Sequence, residues 1–328
     1  MPDSNYSKSH TRPSTLNIWV IHDDKPGHLT QLIGLTNRLS SLTKTSVSWI
    51  PAKTKKQHIK QHVKNKGADL GEQLPSMILG AGHSTHKNVL LMAHKYGAIS
   101  VLLMKPSLPT SLFDFIICPQ HDGLTESDRI LNSRGTINKI EPGKKSIKQR
   151  SNYLVLLGGP SKHFSWNEKS LIREIVLLCK HYTDKQWLLS NSPRTPASFM
   201  EELIKQEIPN LNCHHFNDDA VDDLNTILQN SAQTWITPDS MSMLYESLTA
   251  GCATSVLSLS PTNIKKPSKV AHHIQKLISD KVIGNSQHLQ TNKDLVNAPH
   301  TIWEADRAAQ WLLTQYSLLH QLGKETPA

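Results

Sequence analysis

The sequence predicts an α/β protein made of two Rossmann-like, doubly wound domains that face each other across a cleft. Two observations carry this prediction. Short β-branched apolar runs alternate with helix-like patterns from end to end, and a polar stretch containing Gly and Pro interrupts them near residues 133–151. Strand–helix alternation favours parallel sheets built from βαβ units. A polar break without periodicity is typical of a linker between domains.

The first domain is predicted over residues 1–145. Its candidate strands are short apolar runs at 16–21, 47–50, 77–79, 99–104 and 113–118. Between the first two runs, leucines recur at helical spacing, at Leu32, Leu35, Leu39 and Leu42. This pattern predicts an amphipathic helix that crosses from the first strand to the second.

The second domain is predicted over residues 146–300, where the same rhythm returns. Its candidate strands are 153–157, 186–189, 211–214, 234–236 and 254–257. Helical patterns separate them near 168–180, 197–207, 218–229 and 240–250. A last amphipathic helix is predicted near 302–322, and we expect residues 301–328 to pack back on the first domain.

The composition indicates a globular protein in a reducing compartment. Of 328 residues, 37% are hydrophobic and 19% are charged, which suits ordinary folded domains. The sequence contains no run of 18 or more apolar residues, so no transmembrane helix is predicted. Its first 15 residues are polar and do not resemble a signal peptide. The four cysteines lack CxxC spacing, which favours reduced thiols. These features predict a cytoplasmic protein, peripheral at most at the cytoplasmic face of a membrane.

The positive charge is concentrated in one stretch. The net charge is +9, and the segment from Lys53 to Lys66 holds six lysines and no acid. Three interpretations stay open: a solvated face, a contact with anionic lipid, or a contact with nucleic acid. Few aromatic residues interleave with the lysines, which counts against nucleic acid. Peripheral contact with an anionic membrane is therefore the partner predicted for this segment.

Three loops of the first half carry Gly and His after predicted strands. Ligands of open parallel sheets bind at the carboxyl ends of the strands, so these loops predict a site. Histidine suits a general base near neutral pH, and a neighbouring carboxylate can orient it. The candidate catalytic residues are His28 with Asp24, or else Asp23, as orienting acid, then His83, and His121 with Asp122. Alternatively, each His is a solvated loop residue and Asp24 a turn or helix-cap residue.

The second half has its own polar strand ends. Glycines allow close approach of a backbone, amide and hydroxyl groups can donate to a diphosphate, and an Arg can neutralise it. The candidate binding residues are Gly158, Gly159, Ser161, Lys162, Arg194, Thr195, Asp239, Ser240 and Glu246. Helix capping is the alternative for Asp239 and Ser240, and an exposed salt bridge is the alternative for Glu246. A carboxylate at position 246 could instead hold ribose hydroxyls.

Several common motifs are missing. The sequence has no GxxxxGK[ST] loop, no GxGxxG fingerprint and no HExxH pair. Their absence counts against an NTPase, a dinucleotide-dependent dehydrogenase and a zinc hydrolase. We therefore predict neither a metal site nor a bound cofactor.

In combination, these motifs resemble one family. They are Asp24-Lys-Pro-Gly-His28-x-x-Gln31, Gly80-Ala-Gly-His83-x-Thr85, Pro119-x-His121-Asp122, Gly158-Gly-Pro-Ser161-Lys162, Arg194-Thr-Pro196 and Pro238-Asp-Ser240-x-Ser242-Met-x-x-Glu246. They look like the signature blocks of the mitochondrial fission ELM (elongated mitochondria) family, whose bacterial members are described as nucleoside-diphosphate-sugar glycosyltransferases of the GT-B fold. The last block is also similar to the donor-binding helix of the GT-B enzyme that adds N-acetylglucosamine to the peptidoglycan lipid intermediate.

The resemblance implies a metal-independent glycosyltransferase. The second domain would hold a nucleotide-sugar donor, and the first would receive a glycan or lipid-linked acceptor. Two alternatives stay open: a nucleotide-sugar epimerase of the same fold, and a non-catalytic interaction protein at a membrane or in fission. Fold likeness alone does not establish activity.

Overall fold

The computed structural model describes residues 15–53, 74–215, 223–286 and 301–322. The chain divides into two compact units, one of residues 1–133 with 305–328, the other of residues 134–304. The predicted limits were 145/146 and 300/301. Apart from Lys53, the lysine-rich segment lies outside the described residues.

Unit 1 contains a six-stranded, wholly parallel sheet. Its strands are β1 (Leu16–His22), β2 (Thr45–Pro51), β3 (Met77–Ala81), β4 (Ile99–Leu103), β5 (Phe115–Pro119) and β6 (Ile130–Ser133). They lie in the order β2-β1-β3-β4-β5-β6, so the chain winds in both directions from β1. β3 and β5 are buried along their whole length, which explains why they are continuous apolar runs.

The described part of unit 1 contains the helices α1 (Pro26–Leu42), α2 (His86–Tyr96) and α8 (Glu304–Leu322), the last of which starts one residue before the boundary. α1 begins with proline, whose fixed φ suits the first helical position. Its leucines at 32, 35 and 39 are fully buried, as their spacing predicts.

α8 returns the end of the described chain to unit 1. Ala308, Ala309 and Leu312 are completely buried. The Trp311 ring lies 5.4 Å from the Phe115 ring, and Asp306 forms a 2.7 Å ion pair with Arg38 of α1. α8 therefore supplies part of the core of unit 1.

Unit 2 contains a second parallel six-stranded sheet. Its strands are β7 (Asn152–Leu156), β8 (Trp187–Ser190), β9 (Leu211–His214), β10 (Ser231–Ile236), β11 (Ala253–Val256) and β12 (Gly284–Asn285), in the order β12-β11-β10-β7-β8-β9. The helices among its described residues are α3 (Glu168–His181), α4 (Ala197–Ile204), α5 (Leu224–Gln229), α6 (Met241–Ala250) and α7 (Lys269–Ser279). The order reverses between β7 and β10, where ligands of such sheets bind.

A buried arginine, Arg150, joins the start of unit 2 to its sheet through hydrogen bonds to backbone carbonyls. The Arg150 side chain donates to the carbonyls of Lys145 (3.0 Å), Ser231 (3.2 Å) and Ala250 (2.9 Å). Ala250 is the last residue of α6, where a positive charge meets the negative end of the helix dipole. The predicted linker is therefore packed against the sheet near this point.

All ten predicted strands are present, and the prediction of two parallel α/β sheets is confirmed. β6, β12, α2 and α7 were not predicted. β6 has four residues and β12 two, too few to display a period. Among the described residues, no helix is long and apolar enough to cross a membrane.

Candidate functional site

An aspartate–histidine pair lies where β1 ends in unit 1. The Oδ1 atom of Asp23 lies 2.8 Å from Nδ1 of His28, in the first turn of α1. A carboxylate can only accept, so Nδ1 carries the proton and donates it. In the neutral ring with its proton on Nδ1, Nε2 of His28 keeps its lone pair and can accept a proton.

The Asp23 carboxylate is well anchored. Its side chain is only 6% exposed, and it accepts hydrogen bonds from the Lys25 amide at 3.3 Å and the Ser84 hydroxyl at 3.1 Å. Burial raises the pKa of Asp23, but the hydrogen bonds from His28, Lys25 and Ser84, with the electrostatic interaction with the His28 ring, hold it below its ordinary value. Asp23 is therefore ionised at neutral pH.

A glycine gives the pair its space. Gly82 follows β3 with φ of +89°, and a Cβ there would lie 2.4 Å from Cε1 of His28 and 3.0 Å from Oδ2 of Asp23. No other residue fits both this backbone conformation and this space. The glycine at position 82 of this predicted loop is therefore required because any side chain there would overlap His28 and crowd Asp23.

The choice of Asp24 as the orienting acid was wrong. Asp24 has a left-handed backbone with φ of +61°. Its carboxylate is 74% exposed, and Oδ1 lies 2.8 Å from Nδ1 of His22. The alternative, Asp23, is the residue that contacts His28.

His83 belongs to a second group. Its Nδ1 lies 2.5 Å from the hydroxyl of Ser107, and the same hydroxyl lies 3.2 Å from Nδ1 of His86. Burial lowers the pKa of His86, and the neighbouring His83 lowers it further. Sequence reasoning did not select His86 or Ser107 as candidates, although His86 belongs to the same strand-end loop as His83.

His121 and Asp122 form only a loose pair, with 4.0 Å between Nε2 and Oδ1. The other oxygen of Asp122 lies 3.8 Å from the thiol of Cys118. Burial and then Asp122 raise the pKa of this thiol to about 12. Cys118 is therefore protonated at neutral pH. The 4.0 Å between His121 and Asp122 is too long for a hydrogen bond.

In unit 2, the glycines after β7 do not offer the free amides that were predicted. The amide of Gly158 donates to the Thr237 hydroxyl at 2.7 Å, and that of Gly159 donates to Oδ2 of Asp239 at 3.0 Å. A Cβ on Gly158 would lie 2.2 Å from Oδ2 of Asp239. Close packing therefore requires glycine at both positions. Their amides are already engaged within unit 2 and are not free to donate to a diphosphate.

Arg194 and Asp239 form an ion pair beside these glycines. Nη1 of Arg194 lies 2.8 Å from Oδ2 of Asp239, whose side chain is 0% exposed, whereas that of Arg194 is 46% exposed. Asp239 does not cap α6, since Ser240 is the N-cap residue. The alternative of a capping role for Asp239 is therefore excluded.

Thr195 tightens the same loops. Its hydroxyl lies 2.5 Å from the carbonyl of Gly158, and the Ser192 hydroxyl donates to that carbonyl at 2.8 Å. Ser161 accepts from two following amides, those of His163 and Phe164, both at 3.2 Å. The predicted binding residues Thr195 and Ser161 thus both use their hydroxyls for contacts within unit 2.

Two predicted donors lie open. The Lys162 residue is exposed. Ser240 starts α6, and its side chain makes no capping hydrogen bond to the first-turn amides. The N-terminus of α6 is attractive to an anion for this reason.

Glu246 is buried on α6, so its predicted alternative of an exposed salt bridge is excluded. Oε1 accepts a hydrogen bond from the Ser242 hydroxyl at 3.1 Å. Burial raises the pKa of Glu246, while Ser242 and the charge of Lys139 lower it in part.

The structure thus joins Asp23, His28, Gly82 and Ser84 in unit 1, and Gly158, Gly159, Arg194, Thr195 and Asp239 in unit 2. Within the described ranges, no group of three or more His, Cys, Asp or Glu side chains could hold a metal ion.

Comparisons with known proteins agree with this architecture. A family model described as Mitochondrial fission ELM1 matches residues 26–316. An uncharacterized protein of Rickettsia prowazekii (strain Madrid E) is 27% identical over 306 residues, covering 72% of this chain and 81% of that protein.

Solved structures also match this chain, at low sequence identity. The UDP-GlcNAc 2-epimerase of Methanocaldococcus jannaschii has a TM-score of 0.55 and 13% identity, covering 91% of this chain and 100% of that one. A UDP-glucosyltransferase of Polygonum tinctorium has a TM-score of 0.45 and 10% identity, with 95% and 98% covered. The predicted two-domain, GT-B-like α/β fold class is confirmed.

Proposed function

The chain belongs to the mitochondrial fission ELM1 family, and from this premise we propose that it is a glycosyltransferase. It moves a sugar from a nucleoside-diphosphate donor, bound by unit 2, to an acceptor hydroxyl activated by unit 1. The structural neighbour from Methanocaldococcus jannaschii is named as a UDP-GlcNAc 2-epimerase, which supports a nucleotide-sugar substrate.

The observation that carries the proposal is the Asp23–His28 pair. The carboxylate fixes the Nδ1–H tautomer of His28 at a strand end, which is what a general base for a hydroxyl requires. Nε2 takes the proton of the acceptor hydroxyl as its oxygen attacks the anomeric carbon. The bond from that carbon to the diphosphate breaks, and the diphosphate leaves with the electron pair.

Unit 2 would stabilise the leaving diphosphate. Arg194 uses Nη1 for Asp239, and the rest of its half-exposed guanidinium can donate to phosphate oxygens. The N-terminus of α6, at Ser240, adds its dipole and amides. We propose that these groups act without a divalent metal, that Lys162 and Ser161 help to bind the phosphates, and that Glu246 accepts hydrogen bonds from ribose hydroxyls.

The acceptor we propose is a glycan or a lipid-linked glycan. A lipid-linked acceptor would agree with membrane contact through the lysines between Lys53 and Lys66, a partner prediction that falls outside the described residues apart from Lys53.

The test begins with thermal-shift screening of nucleotide sugars, with and without EDTA, and continues with product analysis. His28→Gln should lower turnover by about 10²–10⁴-fold, whereas donor affinity, set by unit 2, should stay the same. His94→Gln, on the exposed face of α2, is the matched control and should keep full turnover.

Other outcomes would overturn the proposal. Normal turnover of His28→Gln would remove the base, and loss of donor binding in EDTA would remove the metal-independent route. An epimerised donor in place of a glycosylated acceptor would identify an epimerase, the activity named for the Methanocaldococcus jannaschii neighbour. If no nucleotide sugar binds, the proposed function is overturned, and the alternative of a non-catalytic interaction protein is favoured.

A further inference from the structure

Asp239 is a charged residue with an unusual position. It follows β10, and its side chain is fully buried. Oδ2 accepts a hydrogen bond from the amide of Gly159 at 3.0 Å and forms an ion pair with Nη1 of Arg194 at 2.8 Å. Oδ1 is buried and has no hydrogen-bond partner in the part of the chain that the structure describes. A buried carboxylate of this kind is costly, so Arg194 is its main compensation.

The carboxylate holds three strand-end loops together. Gly159 follows β7, Arg194 follows β8, and Asp239 follows β10. The loops fit closely, since a Cβ on Gly158 would overlap Oδ2 of Asp239 at 2.2 Å and one on Gly159 would lie 2.2 Å from the Arg194 carbonyl oxygen. The position of Oδ2 is therefore fixed by its surroundings, and it fixes Arg194 in turn.

Arg194 needs such a partner to bind an anion well. Its side chain is long and half-exposed, and an unrestrained arginine loses much rotamer freedom when it binds. The fork of a guanidinium is rigid, so one anchored nitrogen orients the others. Held at Nη1, the guanidinium can present its remaining N–H groups in one direction.

We propose that Asp239 is a positioning residue for the donor diphosphate, which acts through Arg194 and does not contact the nucleotide. This inference rests on the proposed function. Because Asp239 offsets the charge of Arg194, the pair recognises a diphosphate by the direction of its hydrogen bonds more than by net positive charge.

The sign of one substitution separates positioning from simple charge. Asp239→Asn keeps the shape and an acceptor for the Gly159 amide, but removes the negative charge. If the carboxylate only repels the diphosphate, its removal tightens binding. If it positions Arg194, binding weakens about tenfold, which corresponds to about 1.4 kcal/mol. Calorimetry with UDP, ADP, GDP and CDP in parallel measures this effect.

A double-mutant cycle shows whether the effect passes through Arg194. Asp239→Asn should have no further effect on affinity in the Arg194→Ala background. Asp184→Asn is the matched control, because Asp184 forms an exposed ion pair with Lys185 in the same unit. This control should change neither affinity nor thermal stability.

Thermal unfolding without nucleotide gives a second, independent readout. Arg194→Ala leaves the buried carboxylate without its counter-charge, so the midpoint should fall. Adding Asp239→Asn should restore part of the loss, because the unpaired charge is removed.

Unchanged or tighter binding by Asp239→Asn overturns the proposal, as does weakening that persists in the Arg194→Ala background. Failure of the wild type to bind any of the four nucleotides overturns the proposed function instead. In that case the role of Asp239 in positioning Arg194 for a diphosphate is also overturned. Thermal unfolding of the single and double variants still decides whether Asp239 fixes Arg194.

Discussion

Replacing Asp23 by Asn is the sharpest perturbation of the proposed base. The change keeps the size of the side chain but exchanges an acceptor-only carboxylate for an amide. The amide nitrogen of Asn can donate to Nδ1 of His28, which stabilises the tautomer with its proton on Nε2. In that tautomer, Nε2 cannot accept a proton from an acceptor hydroxyl. We therefore expect the loss of most general-base catalysis, about 10²–10⁴-fold in turnover.

The cost in stability follows from the contacts. Asp23 is nearly fully buried and accepts from His28 at 2.8 Å, from Ser84 at 3.1 Å and from the Lys25 amide at 3.3 Å. A hydrogen bond to a charged group contributes about 1.5–3 kcal/mol. Because Asn keeps part of this network, we expect a loss of about 2 kcal/mol in the free energy of unfolding.

The loss should depend on pH in a defined direction. The folded pKa of Asp23 lies below its ordinary value of 3.8. The unfolded chain thus binds the proton first as the pH falls, so the contribution of Asp23 is complete well above 3.8 and disappears through the lowered folded pKa. The stability difference between wild type and Asp23→Asn should therefore be full at neutral pH and shrink in acid.

Three measurements on one purified variant check this reasoning: ¹⁵N imidazole shifts of His28 for the tautomer, urea unfolding at several pH values, and turnover per folded molecule. Asp24→Asn is the matched control, since the adjacent carboxylate is exposed and contacts His22. An Asp23→Asn variant that keeps the Nδ1–H tautomer and normal turnover would refute the role of the pair. Equal loss in Asp24→Asn would refute the choice of Asp23.

Two further predictions concern the framework of the units. Gly82→Ala should lower stability by more than the roughly 1–3 kcal/mol of backbone strain alone and displace His28, because its φ is +89° and its Cβ would overlap the imidazole. Gly97→Ala, with φ of +63° and open space around it, should cost only about 1–2 kcal/mol in urea unfolding; equal costs would contradict the overlap. Arg150→Met should cost about 3 kcal/mol, since it removes three hydrogen bonds that a buried guanidinium donates to carbonyls, whereas Arg129→Met, at an exposed position, should cost about 1 kcal/mol. Similar unfolding midpoints for the two arginine variants would contradict this reading of Arg150.

The sheets could be predicted from the sequence because parallel strands are buried on both faces. Runs such as β3 and β5 must then be apolar throughout, and this composition is visible without a structure. α7 was missed although its buried face, at Ala271, Ile274 and Leu277, has helical spacing. β6 alternates buried and half-buried residues over four positions, too short for a period to appear.

The loops of the site could be predicted, but not the partners within them. Position at a strand end follows from sequence order, and so His28 after β1 and Arg194 after β8 could be placed there without a structure. The choice between Asp23 and Asp24 depends on a left-handed backbone at Asp24, which no local pattern announces. Likewise, the amides of Gly158 and Gly159 are engaged by residues about 80 positions further along the chain.

The return of α8 to unit 1 has a consequence for how the chain is made. Synthesis runs from the N-terminus, and domains fold as their residues emerge from the ribosome. Unit 2 ends at Glu304, whereas the buried face of α8, with Ala308, Ala309 and Leu312, belongs to unit 1 and follows it. Unit 2 can therefore be completed first, although it begins second. Until α8 is translated, the apolar surface that it covers on unit 1 stays bare, and a nascent chain stalled within unit 2 would present that surface to chaperones.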